Sequence, residues 1–229
     1  MKITVLTVFP DSFNSFLQMP VIKRAIDRKI CEIEIVDIKH YADGCFRKID
    51  DSPFGGGVGM ILRCQPIVDA LHEKAFTNSL KIMLSPKGKQ YNQMQARELS
   101  TAEHIVLLCG HYEGIDARVE KYFDRQISIG DYILTGGEIA AEVIIDSIVR
   151  LLKGVLRDSV TVDESYENGL LEYPQYTRPA VFNGDKVPDI LLSGNHKRIE
   201  DWRYEKSVEL TKQLRPDLFE RYVASKENK

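Results

Sequence analysis

Apolar positions along this chain recur with two periods, and the switches between them outline the elements. Lys2–Phe9, KITVLTVF, is rich in β-branched and aromatic residues and runs into Pro10-Asp11-Ser12, which predicts a core strand closed by a turn. Phe13, Phe16, Leu17, Val21 and Ile22 then recur at helical spacing, with Pro20 starting a new segment or kinking the old one. CEIEIVDI (Cys31–Ile38) alternates like a strand with one wetter face. RCQPIVDALHEKAF predicts a helix that buries Ile67, Val68 and Leu71, and Leu80–Ser85 a strand that stops at Pro86. A helix in NQMQARELS, a strand at Glu103–Gly110 too apolar to have a solvated face, a short helix in IDARVEKYF and a strand at ISIG follow. Gly136–Gly154 predicts a helix with Ile139, Val143, Ile144, Ile148 and Leu151 or Leu152 on its apolar face. Strands alternating with helices argue for an α/β fold with a parallel sheet.

Beyond Leu156 the pattern changes. The stretch to Gly194 is polar and carries three prolines and three glycines, which reads as a linker followed by an irregular segment. The tail from Asn195 is helical again, with Ile199, Trp202 and Tyr204 beginning its core and Pro216 opening a last helix at its first position. The expected division is a first domain over 1–157, a flexible linker over 158–170 and a helical domain over 171–229.

Composition narrows the classes. The 229 residues are 43% hydrophobic and 28% charged, which is ordinary for a soluble globular protein. A formal net charge of −3 does not announce nucleic acid, so any RNA site has to be local. No apolar run approaches the ~18–20 residues of a membrane span. The N-terminus lacks a long apolar core and a small-residue cleavage site, so a signal peptide is not expected. Cys31, Cys45, Cys64 and Cys109 form no CxxC pair, which favours reduced thiols in a cytoplasmic protein. The five histidines are scattered, and no metal-ligand spacing is expected.

Glycine marks the candidate site. His40–Met60 is a long loop ending in FGGGVG, which reads as a turn or a substrate-facing loop; it lacks a P-loop lysine and does not fit a dinucleotide fingerprint. LSPKG (Leu84–Gly88), CGHYEG (Cys109–Gly114) and SIGDYILTGG each follow a predicted strand end, where ligands bind in open α/β sheets. Together they form a pocket with main-chain polar contacts, which suits an adenine edge. Glu113 and Asp131 beside these turns either cap helices or face a cationic ligand such as a sulfonium.

GHYEGIDARV, SIGDYILTGGE, GLLEYPQYTRP and LLSGNHKRIEDWR resemble the bacterial tRNA (guanine-N1)-methyltransferase family, in order and spacing, from Met1 to about the last ten residues. The resemblance implies a SPOUT-type parallel sheet with a deep C-terminal trefoil knot and a small helical C-terminal domain. It implies methylation, from S-adenosyl-L-methionine, of the guanosine immediately 3′ of the anticodon. The family's cofactor loops fall on Leu84, Ser85, Pro86 and Gly88; on Gly110, Tyr112 and Glu113; and on Ser128, Ile129, Gly130, Asp131, Tyr132, Ile133, Leu134, Gly136 and Gly137. A homodimer gripping a tRNA anticodon arm, a need for Mg²⁺ and a cytoplasmic location are implied as well, with neither membrane nor DNA as partner. RNA contacts are expected from Arg178, Ser193, His196, Arg198, Trp202 and Arg203.

The chemistry sets the catalytic candidates. Guanine N1 carries a hydrogen, so a general base must remove it as the methyl arrives, and charge builds on O6. The family's catalytic Asp aligns with Glu164 in DESYENGLL, a departure by one methylene, with Asp163 as the rival if the register slips. Its catalytic Arg matches Arg150, whose planar fork suits O6. A nucleotide-dependent enzyme of another class lacks its P-loop lysine here. A non-catalytic RNA-binding protein that kept the fold is the remaining alternative.

Overall fold

The computed structural model describes residues 1–45, 47–157 and 164–227. Its first compact unit, Met1–Leu156, holds strands β1 (Lys2–Thr7), β2 (Glu32–Asp37), β3 (Asp50–Asp51), β4 (Ile61–Leu62), β5 (Leu80–Gln90), β6 (His104–Leu108) and β7 (Arg125–Ser128). The helices of that unit are α1 (Pro20–Asp27), α2 (Cys64–Glu73), α3 (Gln93–Ser100) and α4 (Glu138–Val149). Five strands form one wholly parallel sheet in the order β2-β1-β6-β5-β7.

Strand alternation distributes the core to both faces of this sheet. Ile3, Val5, Ile82, Ile105, Leu107 and Ile127 pack with α1, α3 and α4, whereas Leu6, Met83, Val106 and Leu108 pack with α2 and Val119. Ile105 to Leu108 are fully buried, as the unbroken apolar run predicts for a central parallel strand. Each such side chain contributes roughly 1.5–3 kcal/mol of transfer free energy.

Several elements depart from the sequence-based expectation. Strand β5 does not stop at Pro86; it runs on to Gln90. Leu84 and Lys89 both pair with Ile127, so residues 85–88 bulge out between them. A proline is tolerated there because a bulged residue owes no N–H to the ladder. Residues around Phe13 and Phe16 form two 3₁₀ turns, Pro10–Phe13 and Phe16–Gln18, and Pro20 opens α1 at its first turn. The short helix predicted at IDARVEKYF is a 3₁₀ helix, Ala117–Tyr122.

The expected face of α4 is corrected at two positions, while Ile144 and Ile148 are buried as expected and Leu152 packs on the core. Ile139 and Val143 are 55% and 43% exposed, while Ala140, Ala141, Ile144, Ile145, Ile148 and Val149 are buried. Apart from Ser147 and one acidic stripe at Glu138, Glu142 and Asp146 the helix is apolar, so periodicity does not choose which part of that broad apolar surface is covered.

The second compact unit is Arg157–Lys229. It contains the small hairpin β8 (Val181–Phe182) and β9 (Asp185–Lys186) and the helices α5 (Asp189–Leu192), α6 (His196–Leu214) and α7 (Pro216–Glu227). The described part of the predicted linker is hydrogen-bonded. Tyr166 N–H reaches Leu170 C=O at 2.8 Å, and Leu171 N–H reaches the Thr211 hydroxyl of α6 at 2.8 Å. Thr211 is fully buried, so this contact anchors the turn on the helix. Tyr204 was expected in the core and is 56% exposed, with its hydroxyl 3.1 Å from that of Tyr222. An amphipathic ring with a polar tip is stable in that half-wet position.

Candidate functional site

The three glycine-bearing segments gather at the carboxyl edge of β6, β5 and β7, which are neighbours in the sheet. In the first, the bulge carries Ser85 and Pro86 outwards and presses Gly88 against β7. A Cβ at Gly88 would lie 2.5 Å from backbone carbons of Gln126 and Ile127, so only glycine fits. In the second, Cys109 continues the β6 core and Gly110 follows half-buried. Tyr112 then takes a left-handed φ of 59° and reverses the chain.

The third segment leaves β7 at Ser128, whose buried hydroxyl donates to Gly130 C=O at 3.0 Å. Ile129 and Leu134 pack on the core, whereas Asp131, Tyr132 and Ile133 are exposed. The chain then returns to the second segment: His111 pairs with Gly136 in an antiparallel bridge, and Gly137 N–H donates to Gly110 C=O at 2.8 Å. The second and third segments therefore share a main-chain seam, against which α4 starts.

Two side chains singled out earlier are not caps. Asp116 caps the 3₁₀ helix after the second segment, and α4 has no side-chain cap, so neither Glu113 nor Asp131 holds a helix start. Glu113 instead lies over Gly59, where a Cβ would overlap its side chain. Its N–H donates to Met60 C=O at 3.0 Å, and Leu62 N–H donates to Gly114 C=O at 2.9 Å. The end of the FGGGVG loop is thus stitched to the second glycine segment. Phe54 and Val58 at its tip are exposed.

Beside the seam lies an open cleft of about 470 Å³, lined by Phe9, Asp37, Lys39, His111 and Glu138 among others. Sequence reasoning passed over this side of the sheet edge. The signal that points to it is Glu138, the acidic residue directly after Gly136-Gly137 at the start of α4. Burial pushes the Cys109 thiol well up, with Glu138 and Glu142 adding to the rise, so it stays protonated. Burial likewise raises the Tyr112 hydroxyl.

Arg150 is half-buried at the C-terminal cap of α4, in the first unit. Glu164 is half-buried in the second unit, where its carbonyl accepts Glu167 N–H at 3.2 Å. Its rival Asp163 lies outside the described residues. Of the expected RNA contacts, Ser193, His196 and Arg198 cluster around the start of α6, where Asn195 caps Arg198 N–H. Trp202 is half-buried one turn later and shares a helix face with Arg198. Arg203 stacks its guanidinium 4.8 Å above the Tyr173 ring, a cation–π contact that holds it in place. Arg178 is exposed.

The chain matches the family described as tRNA (Guanine-1)-methyltransferase TrmD over residues 1–221. It is 50% identical over 228 residues to the tRNA (guanine-N(1)-)-methyltransferase of Malacoplasma penetrans, covering 100% of both chains. It is 50% identical over 230 residues to the protein of that name from Clostridium beijerinckii, covering 100% of this chain and 96% of the relative. The one from Ruminiclostridium cellulolyticum is 51% identical over 226 residues, 96% of each chain. The match spans the parallel sheet, the glycine seam and the helical unit alike, so the chain belongs to the tRNA (guanine-1)-methyltransferase family.

Proposed function

We propose that this chain transfers the methyl group of S-adenosyl-L-methionine to N1 of the guanosine immediately 3′ of the anticodon in tRNA. The observation that carries the proposal is the family match over residues 1–221, in a chain whose three glycine segments end neighbouring strands. A methyltransferase of this family takes a donor of the S-adenosylmethionine type. The residues fit it: glycines at 88 and 137 leave no room for a Cβ, and half-buried main chain lies at Gly110 and Gly136. Such a cradle recognises an adenosyl group through backbone polar groups. When bound, the sulfonium supplies a methyl group already activated for transfer.

The chain's own residues supply the rest. Glu164 takes the N1 proton as the lone pair of N1 turns to the methyl carbon. Arg150 donates to O6, where the charge released by that proton collects, and its planar fork also fixes the base in orientation. Glu113 and Asp131 face the cationic end of the donor. The Phe54–Gly59 loop covers the base from the substrate side.

The return of Gly136–Gly137 across Cys109–Gly110 supports the reading of the third segment as the tied crossing of a trefoil knot. Exposed Tyr132 and Ile133 in the third segment, with Ile139 and Val143 on α4, support a homodimer, because large apolar side chains left in water gain from being covered. The helical unit grips the anticodon arm through His196 and Arg198 at phosphates, with Ser193, Trp202, Arg203 and Arg178 beside them. No helix of the described residues is long and apolar enough to cross a membrane. No group of three or more His, Cys, Asp or Glu side chains that could hold a metal ion is found among the described residues, and Mg²⁺ commonly keeps its waters and takes one or two carboxylates.

The test is to incubate the protein with labelled S-adenosylmethionine and tRNA transcripts carrying G or A 3′ of the anticodon. Label in the G transcript alone is expected. Tight tRNA binding without transfer would instead make this a non-catalytic RNA-binding member of the family.

A further inference from the structure

Glu138 is the one acidic side chain that is buried among the described residues, at 8% exposure. Taking a carboxyl group out of water is unfavourable unless its oxygens are bonded. Its Oε1 accepts from the Thr7 hydroxyl at 2.8 Å, across 131 positions of sequence. The same Thr7 oxygen accepts Phe9 N–H at 2.9 Å. The Phe9 ring leans on the His111 imidazole, with centroids 4.6 Å apart. His111 pairs with Gly136, and a Cβ on Gly136 would overlap both Glu138 Oε2 and His111, the latter at 2.5 Å from Cδ2. The contacts therefore close into a ring: Thr7, Glu138, Gly136, His111, Phe9 and back to Thr7.

We infer that Thr7 and Glu138 are positioning residues for the cofactor site. Their hydrogen bond fastens the end of β1 to the start of α4, and so presses Gly136–Gly137 onto Cys109–Gly110. That contact sets the gap between the second and third cofactor segments. The inference rests on the cofactor being bound at those segments, as proposed above. Residue chemistry at both ends fits the role. Thr7 must offer a donor and an acceptor at once, and only a hydroxyl does both in that volume. Gly136 must lack a Cβ for the Glu138 side chain to fold back beneath it.

Thr7→Val keeps the shape and deletes the hydroxyl, leaving Glu138 and Phe9 N–H unpartnered. With the full chain, calorimetry with S-adenosylhomocysteine should show binding about 10-fold to 100-fold weaker, the span expected when buried polar groups lose their partner. The KM for S-adenosylmethionine should rise in parallel. The kcat at saturating cofactor and the KM for tRNA should stay within about twofold, since the lost bond touches neither. Thr7→Ser should restore cofactor binding. Unchanged binding in Thr7→Val, a loss confined to kcat, or failure of Thr7→Ser to rescue would each overturn the inference. If Thr7→Val does not fold, Glu138→Met replaces it: a side chain of similar length with no oxygen to accept from the Thr7 hydroxyl should weaken binding severalfold, and equal binding overturns the inference. A wild-type chain that binds no S-adenosylhomocysteine would overturn the cofactor reading and the clamp together. Wild-type binding with an indifferent Thr7→Val would overturn the clamp alone.

Discussion

Gly137→Ala isolates one steric claim about the glycine seam. The residue has φ −83° and ψ −6°, which any amino acid adopts, so no backbone strain accompanies the change. The added Cβ would lie 2.8 Å from Cys109 Cα, 2.9 Å from Gly110 N and 3.2 Å from Cys109 C. Comfortable carbon–carbon contact is about 3.5–4.0 Å, so one segment must retreat by roughly 1 Å. The β6 side cannot, because Leu107, Leu108 and Cys109 are fully buried between both faces of the core. The third segment retreats instead and stretches the 2.8 Å bond from Gly137 N–H to Gly110 C=O. Overpacking of this kind costs about 1–3 kcal/mol, which in a chain of this size lowers Tm by about 2–12 °C. Gly110→Ala is the matched control for stability alone, since its Cβ would meet the end of the Ile115 side chain at 3.4 Å while the residue itself belongs to the proposed cofactor cradle. Thermal unfolding followed by circular dichroism, with S-adenosylhomocysteine affinity measured alongside, separates the cases. The reasoning fails if Gly137→Ala melts and binds as the parent does, or if both variants lose the same stability.

The remaining predictions concern chemistry, assembly and pH. Glu164→Gln should reduce transfer by about 10²-fold or more, the range typical of losing a general base, with S-adenosylhomocysteine affinity nearly intact; full activity there, with loss in Asp163→Asn, would move the base by one position. Arg150→Lys should lower kcat markedly, because a point charge does not replace a two-pronged contact, and near-normal turnover would remove the O6 role. Val143→Glu places a charge on the exposed apolar face of α4 and should give monomers by light scattering, whereas an unchanged dimer would move the interface elsewhere. The Arg118 side chain and its backbone N–H hold the Asp116 carboxyl well below the usual carboxylate range. A depressed native value stabilises the fold above about pH 4, and that stabilisation fades as pH falls through the native value. Asp116→Asn should therefore lower the urea midpoint at pH 7 and lose less on acidification than the parent; parallel acid limbs would refute the linkage.

Much of the scaffold is legible from local pattern. Lys2–Thr7, Glu32–Asp37 and the unbroken run His104–Leu108 carry strand periodicity and residue types that have one stable use in a parallel sheet. Glycine loops after strand ends indicate the site edge, because a chain that must approach another backbone needs residues without a Cβ. The motifs around Gly110, Gly136 and Gly169 identify the family. What fails to show is where two local signals are equally strong. Pro86 reads as a stop, yet pairing resumes at Lys89 on the far side of a bulge, and the same Ile127 receives both halves of the strand.

The amino-acid order by itself therefore determined most of the sheet strands and long helices, the parallel α/β class, the glycine segments at the strand ends and the family. Tertiary structure alone decided which face of α4 is covered, that the FGGGVG loop is stitched to the segment holding Glu113, and that Glu138 reaches Thr7. The reason is physical. Periodicity records which side chains leave water, an energy that depends on each residue alone. Partnership across 131 positions is set by how the whole sheet closes, and no local pattern encodes that geometry.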